Sequence, residues 1–333
     1  MKSYLLTFSL MVSALQIGCD NTPTSFALPS VDQSFGQVIT YNNKVDILFV
    51  IDNSKSMTQH QQRLAARIPE MISALNSLKM DYHVAVTSTT MTTNTSAYPM
   101  SRQILGEPKY LTSQNINLLP NRLLVGESGS DLERGLDALA FVTSGYAATQ
   151  AAGYLREDAL FVAIFLADED DASSEFGSTG SNDFVNYMKS FRPDFKEGGR
   201  AWMANYIGTV QNSNCDNLGG HVSIGTNYLR VVNASGGVIE SICSGDLALA
   251  VSNIRARIVD QLTKFYLKTE PNVASIRVSV GGRLIVEDPL NGWTSESEKN
   301  DQNKMLYFIK FHGASIPKAD EGIQIDYLPV GAS

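Results

Sequence analysis

With 333 residues, 43% of them apolar and 18% charged, the chain is long enough to bury a core and suggests about two folded units, which excludes a disordered tract and a multispanning membrane protein. Its formal charge of -8 excludes a nucleic-acid binder, because displacing counterions from a phosphate backbone takes a concentrated basic face.

Lys2 precedes an apolar run from Tyr4 to Leu15, followed by Gly18 and Cys19. The run is shorter than the roughly 20 residues that span a bilayer, so 1–18 reads as an export signal. Leu15-Gln16-Ile17-Gly18-Cys19 resembles a bacterial lipobox, although Gln16 stands where Leu is usual. That resemblance implies lipidation of Cys19 and a membrane-anchored protein of the cell envelope, periplasmic or outer-surface. With Cys19 so used, Cys215 and Cys243 are left as a pair, and in an exported protein they are expected to form a disulfide.

Residues 19–43 are rich in Asn, Thr, Ser, Pro and Gln with little periodicity, and read as a linker. From Val45 to Ile51 every residue but Asp46 is apolar, which suits a central parallel strand. Leu64, Ile68, Met71, Ile72, Leu75 and Leu78 then repeat at helical spacing, and Tyr82 to Thr89 reads as a second strand. A short edge strand is expected near Arg102 to Leu105. Leu132, Leu136 and Leu139 mark a helix, and Ala159 to Ala167 is another buried strand. Trp202 to Val210 continues the strands, before a helix near Asn227 to Val232 and a short strand at Val238 to Ile242. Val251, Ile254, Ile258, Leu262 and Phe265 form the stripe of a long helix. Strands alternating with helices over 44–270 predict an α/β fold with an open, mostly parallel, doubly wound sheet. After Pro271 the pattern turns β-rich, with runs at Ala274 to Val280, Arg283 to Glu287, Met305 to Phe311 and Ile323 to Leu328. Gly281-Gly282 signals a hairpin, so 271–333 reads as a small antiparallel β module or extension.

Ligands of open α/β sheets sit beyond the carboxyl ends of the strands, and three loops there are rich in oxygen donors. They are Asp52-Asn53-Ser54-Lys55-Ser56, Gly126-Glu127-Ser128-Gly129-Ser130-Asp131 and Asp168-Glu169-Asp170-Asp171. Hard oxygen donors of this kind suit Mg²⁺, Ca²⁺ or Mn²⁺ rather than zinc. Val50-Ile51-Asp52-Asn53-Ser54-Lys55-Ser56-Met57 resembles the Asp-x-Ser-x-Ser signature of von Willebrand factor type A domains, whose fold is Rossmann-like and whose signature is a metal ion-dependent adhesion site. The resemblance spans about Lys44 to Lys268. It implies Asp52, Ser54 and Ser56 as metal ligands, Asp168 as the carboxylate ending the fourth strand, and Ser130 in place of the usual second-loop Thr, with Ser128 as the competing choice. Glu169 replaces the usual Gly after that Asp, and Glu169, Asp170, Asp171 and Glu175 are either further cation ligands or a solvated acidic loop. Lys55 is expected to face solvent.

Enzymatic signals are thin. His60, His83, His221 and His312 are scattered without metalloprotease spacing, Gly126 to Ser130 breaks the Gly-x-Ser-x-Gly pattern at its last position, and no phosphate-cradling loop is present. The resemblance therefore implies a binding protein and not an enzyme, taking a protein or glycan partner that completes a divalent cation with a carboxylate. The alternative is a structural envelope component whose site is vestigial or stabilising.

Overall fold

The computed structural model describes residues 37–39, 42–175, 181–196, 198–211, 223–318 and 320–331. The export segment, Cys19, Cys215 and His221 lie outside the described residues, and with them the expected lipidation and the expected bond between Cys215 and Cys243. Among the described residues no helix is long and apolar enough to cross a membrane.

In chain order the first elements are β1 (Gln37–Ile39), β2 (Lys44–Ile51), α1 (Thr58–Ser77), β3 (Asp81–Ser88), the single-turn α2 (Leu119–Arg122), α3 (Gly135–Phe141) and the single-turn α4 (Ala147–Gln150). There follow β4 (Leu160–Ala167), α5 (Ser181–Phe191), β5 (Trp202–Gly208), α6 (Thr226–Ser235), β6 (Ile239–Ser241) and α7 (Ala248–Leu262). Strands β2 to β6 make one parallel sheet in the order β3-β2-β4-β5-β6. Every residue of β4 is buried, as the unbroken apolar run requires of a strand covered on both faces. Val45, Ile47, Phe49 and Ile51 of β2 pack with Leu64, Ile68 and Leu75 of α1 and Val251, Ile254 and Ile258 of α7. Leu48 and Val50 belong to the opposite layer, closed by Leu136 and Leu139 of α3, Phe184 and Met188 of α5, and Val231 and Val232 of α6. The sheet is thus doubly wound. Strand order reverses at β2, with β3 added on one side and β4 on the other, which opens a crevice beyond the carboxyl ends of β2 and β4.

Beyond α7 come β7 (Lys264–Leu267), β8 (Arg277–Val280), β9 (Arg283–Ile285), β10 (Trp293–Lys299), β11 (Met305–Phe311) and β12 (Ile323–Asp326). They form two antiparallel sheets, β10-β11-β7 and β1-β12-β8-β9. Gly281 and Gly282, with φ of 56° and 77°, make the tight turn between β8 and β9, where a side chain would be strained. Val278, Ile309, Phe311 and Ile325 join the same apolar cluster as Val45 and Ile258.

Several elements differ from the sequence pattern, each for a tertiary reason. Within the stretch read as a linker, Gln37–Ile39 pairs with β12. Leu132 is 55% exposed and outside α3, which starts only at Gly135 because Arg134 has non-helical φ and ψ of -133° and 58°. Phe265 belongs to β7 and not to the α7 stripe: it pairs with Ile309 and sets its ring edge-on to Phe311 at 5.3 Å. The edge strand expected at Arg102 to Leu105 reduces to a bridge between Thr87 and Ile104, with Leu105 N donating to Val86 O at 2.8 Å. Helix α5 and strand β10 are additions to the sequence reading.

Candidate metal centre

The site grows from the ends of three neighbouring strands. Asp52 N donates to Leu166 O at 2.9 Å and Thr89 N to Ile51 O at 3.1 Å, so Asp52 continues β2 between the ends of β3 and β4. Asp168 follows β4 directly, and its carbonyl accepts from Thr209 Oγ1, at the end of β5, at 2.8 Å. Two aspartates, from β2 and β4, therefore stand side by side at the reversal point.

The first loop bends where Ser54 N donates to Asp52 Oδ1 at 2.8 Å, a local turn that short acidic side chains favour. Ser54 Oγ and Ser56 Oγ come within 3.3 Å of each other, which gives the loop two adjacent hydroxyls beside the Asp52 carboxylate. Lys55 between them is exposed.

Buried polar side chains stitch this loop to its neighbours. Gln61 of α1 donates through Nε2 to Asp52 O and Gly126 O, both at 2.9 Å, and accepts from Gly126 N at 3.0 Å. Gly129 N donates to Asn53 O at 2.8 Å, and a Cβ on Gly129 would lie 2.5 Å from Asn53 Oδ1, so only glycine permits this approach. Thr90 Oγ1 donates to Asn53 Oδ1 at 2.8 Å and accepts from Ser130 N at 3.0 Å. Ser130 is thus tied to the first loop through its backbone, while its Oγ accepts from Leu132 N at 3.1 Å; Ser128 is exposed.

Burial dominates the electrostatics. Asp52, Asp168 and Glu133 are each no more than 1% exposed. Burial pushes the Asp52 carboxyl up to about 7; the Ser54 amide opposes the rise, and the Asp168 and Glu169 charges add to it. Burial and then the Asp52 charge push Glu133 up to about 9, against a hydrogen bond from Thr89 Oγ1. Asp52 Oδ2 is buried and has no hydrogen-bond partner. Such an atom carries the cost of lost hydration unless something neutralises it, so a cation fits here. Among the described residues no three His, Cys, Asp or Glu side chains converge closely enough to grip one ion. A cation at this place would draw on carboxylates, hydroxyls and water together, the donor set of a hard divalent ion.

Most of the acidic third loop does other work. Asp170 Oδ1 accepts from Asn227 N at 2.8 Å at the start of α6, and Asp171 Oδ1 accepts from Leu136 N at 3.0 Å at the start of α3. These are helix-capping bonds to backbone amides left over at helix N-termini, so neither a solvated loop nor further cation ligation describes Asp170 and Asp171. Burial pushes Asp171 up to about 6. Glu175 pairs with Arg102 and Arg134 at 3.3 Å each and is likewise occupied. Glu169 remains partly exposed, with its carboxyl raised by burial and then by Asp168.

The structure therefore brings Asp52, Ser54, Ser56 and Asp168 together and ties Ser130 to them. Gln61, Thr89, Thr90 and Glu133 are additions that the sequence reading missed. Glu133 had one available signal, a charged residue set three positions after Ser130 and between Leu132 and Leu136.

No family model matches the sequence, and no curated protein matches it. Among solved structures the chain is similar to proximal thread matrix protein 1 from the mussel byssus, at 14% identity and a TM-score of 0.41, over 68% of this chain and 50% of that one. A second structure of that protein, with a zinc-occupied MIDAS motif, gives 12% identity, a TM-score of 0.41 and the same coverage of 68% and 50%. The pilus adhesin SpaC from Lactobacillus rhamnosus GG, in its open conformation, gives 12% identity and a TM-score of 0.41, over 85% of this chain and 38% of that one. The chain spans half or less of the length of these structures, and TM-scores this low carry neither fold nor function across to it.

Proposed function

We propose that the chain is a ligand-binding or adhesion protein of the cell envelope that engages its partner through a divalent cation, Mg²⁺ or its relatives Ca²⁺ and Mn²⁺. Asp52, Ser54, Ser56, Ser130 and Asp168 would hold the ion. The observation that carries the reading is Asp52 Oδ2, wholly buried, without a hydrogen-bond partner, and set beside the second buried carboxylate at the reversal point of the sheet. When bound, the cation supplies positive charge that can take an oxygen from another molecule. The chain's own residues do the rest: Ser54 N orients Asp52, Gln61 fixes the first loop against Gly126, and Thr90 holds Ser130 in register.

With the serine hydroxyls as direct, uncharged ligands and Asp52 and Asp168 acting partly through water, the ion stays attractive to an external anion, and the partner we infer is a protein or glycan offering a carboxylate. No catalytic step enters this reading. His83 lies near Asp46 at the opposite end of β2, and His312 contacts Thr294 in the C-terminal sheet. Anchoring through a lipidated Cys19 belongs to the same proposal; the mass of the mature N-terminus tests it, and an unmodified residue there rejects it.

The experiment for the site is thermal unfolding of the whole protein with Mg²⁺ and with EDTA, in the natural sequence and in Asp52→Ala. Binding to the folded state alone raises the melting temperature, by an amount that grows with the logarithm of the ion concentration above its dissociation constant. The expected result is a shift in the natural protein that Asp52→Ala loses. Identical melting in Mg²⁺ and EDTA would sink the proposal and favour a scaffold whose site is vestigial.

A further inference from the structure

Buried oxygens without hydrogen-bond partners gather at one end of the sheet. Asp52 Oδ2, Glu133 Oε1 and Tyr228 Oη are three of them, from the end of β2, the approach to α3 and the first turn of α6. Tyr228 and Asp52 are fully buried and Glu133 is 1% exposed. The three are linked through short contacts: Glu133 accepts from Thr89, whose amide is bonded to the residue before Asp52, and Tyr228 Oη lies against Gly135, two residues after Glu133. Folded proteins leave few such atoms, and where several meet, water or an ion is the usual reason.

Glu133 is anchored on two sides. Its Oε2 accepts from Thr89 Oγ1, and Thr89 N is bonded to the carbonyl of Ile51, the residue before Asp52. Its own carbonyl accepts from Ala172 N at 2.7 Å, which ties it to the acidic loop as well. One carboxylate oxygen is thus anchored next to the first loop while the other, Oε1, is left without a partner. Direct ligation is not what this arrangement offers, since no three acidic side chains among the described residues close on one point. A hard divalent ion, however, keeps several waters, and each bound water is a strong donor that needs an acceptor.

We propose that Glu133 is the outer carboxylate of the cation site, with Oε1 accepting hydrogen bonds from water on the ion that Asp52, Ser54, Ser56 and Asp168 hold. The inference rests on the reading of the preceding section and extends it. Glu133 is a positioning residue: it adds a negative charge close to the ion and fixes the orientation of the waters that a partner must displace or leave. Tyr228 Oη approaches Gly135 so closely that it leaves no room for a Cβ there.

The test is calorimetric titration of Mg²⁺ and Mn²⁺ into the full chain and into Glu133→Gln, Glu133→Asp and Thr89→Val. Outer carboxylates of metal sites typically contribute about 10- to 100-fold in affinity, and Glu133→Gln is expected to lose that much while the melting temperature of the metal-free protein is unchanged or raised. Glu133→Asp should recover part of the loss. Thr89→Val, which releases Oε2, should weaken binding in the same direction by less. A Glu133→Gln protein that binds both ions as tightly as the natural chain overturns this inference and leaves the site itself standing. Absence of binding by the natural chain overturns both. Should Glu133→Gln fail to fold, Thr89→Val decides: full affinity there overturns the inference.

Discussion

Strand β2 carries a fully buried aspartate near its start and another just beyond its end, and the molecule treats the two differently. Asp46 is answered from within the chain. Arg156 N donates to its Oδ2 at 2.6 Å, Arg156 Nε to its Oδ1 at 2.9 Å, and Arg192 Nη2 stands 3.8 Å away. Asp52, on the same face six residues later, meets the acidic groups Asp168 and Glu169, and one of its oxygens is left bare. Both carboxylates bear the desolvation cost that raises them, yet only one has its counter-charge built in. The lesson is that a buried acid becomes a candidate site when the fold withholds its partner. Burial alone does not distinguish structure from function.

The largest expected effect comes from breaking the structural end. Asp46→Ala leaves the 6%-exposed Arg192 without its carboxylate and Arg156 with Asp81 alone, and removing one partner of a buried ion pair costs about 3–5 kcal/mol. Urea unfolding should show that loss with or without Mg²⁺. Asp52→Asn should instead leave the metal-free protein as stable or make it more so, because it deletes an uncompensated buried charge. The same change should remove the stabilisation by Mg²⁺, which is about 2.7 kcal/mol at a hundred times the dissociation constant. Equal destabilisation by the two substitutions would erase the contrast between the two ends of β2.

Gln61→Leu sharpens the comparison at the next level. It cuts three hydrogen bonds between the first and second loops and leaves Gly126 N and two carbonyls bare, at a cost of about 1–3 kcal/mol. Cation affinity should fall with it, since the hydroxyls of Ser54 and Ser56 lose their brace; unchanged affinity would mean that the loop holds its shape alone. The smallest effect is expected of Lys55→Ala. Its side chain is exposed between the two serines, so stability should move by no more than about 0.5 kcal/mol, and affinity for an anionic partner should change only modestly. A large loss of Mg²⁺ binding would show that Lys55 shapes the loop.

Much of the centre was legible because its signals are local. Asp52, Ser54 and Ser56 lie within five residues of a buried strand, and Asp168 ends another, so apolar runs and loop chemistry were enough to find them. Gln61, Thr89, Thr90 and Glu133 were not legible, since a polar residue that is buried by a distant loop looks the same in sequence as one in water. Asp170 and Asp171 failed in the opposite sense: their composition suggested cation ligands or a solvated loop, and only the approach of α3 and α6 makes them caps. Phe265 kept helical spacing with Leu262, but pairing with β11, some forty residues further along the chain, decided for strand.

Sequence by itself determined the alternating α/β order, the buried central strands, the glycine turn between β8 and β9 and the loop that carries the two serines. Each depends on periodicities and backbone preferences that act over a few residues. Tertiary structure alone decided which acids are neutralised, capped or left bare, that Gln37–Ile39 closes a C-terminal sheet, and that Glu133 turns inwards beside Asp52. Those outcomes depend on what lies opposite a side chain after folding, and burial with electrostatic pairing is a property of contacts between segments far apart in the chain.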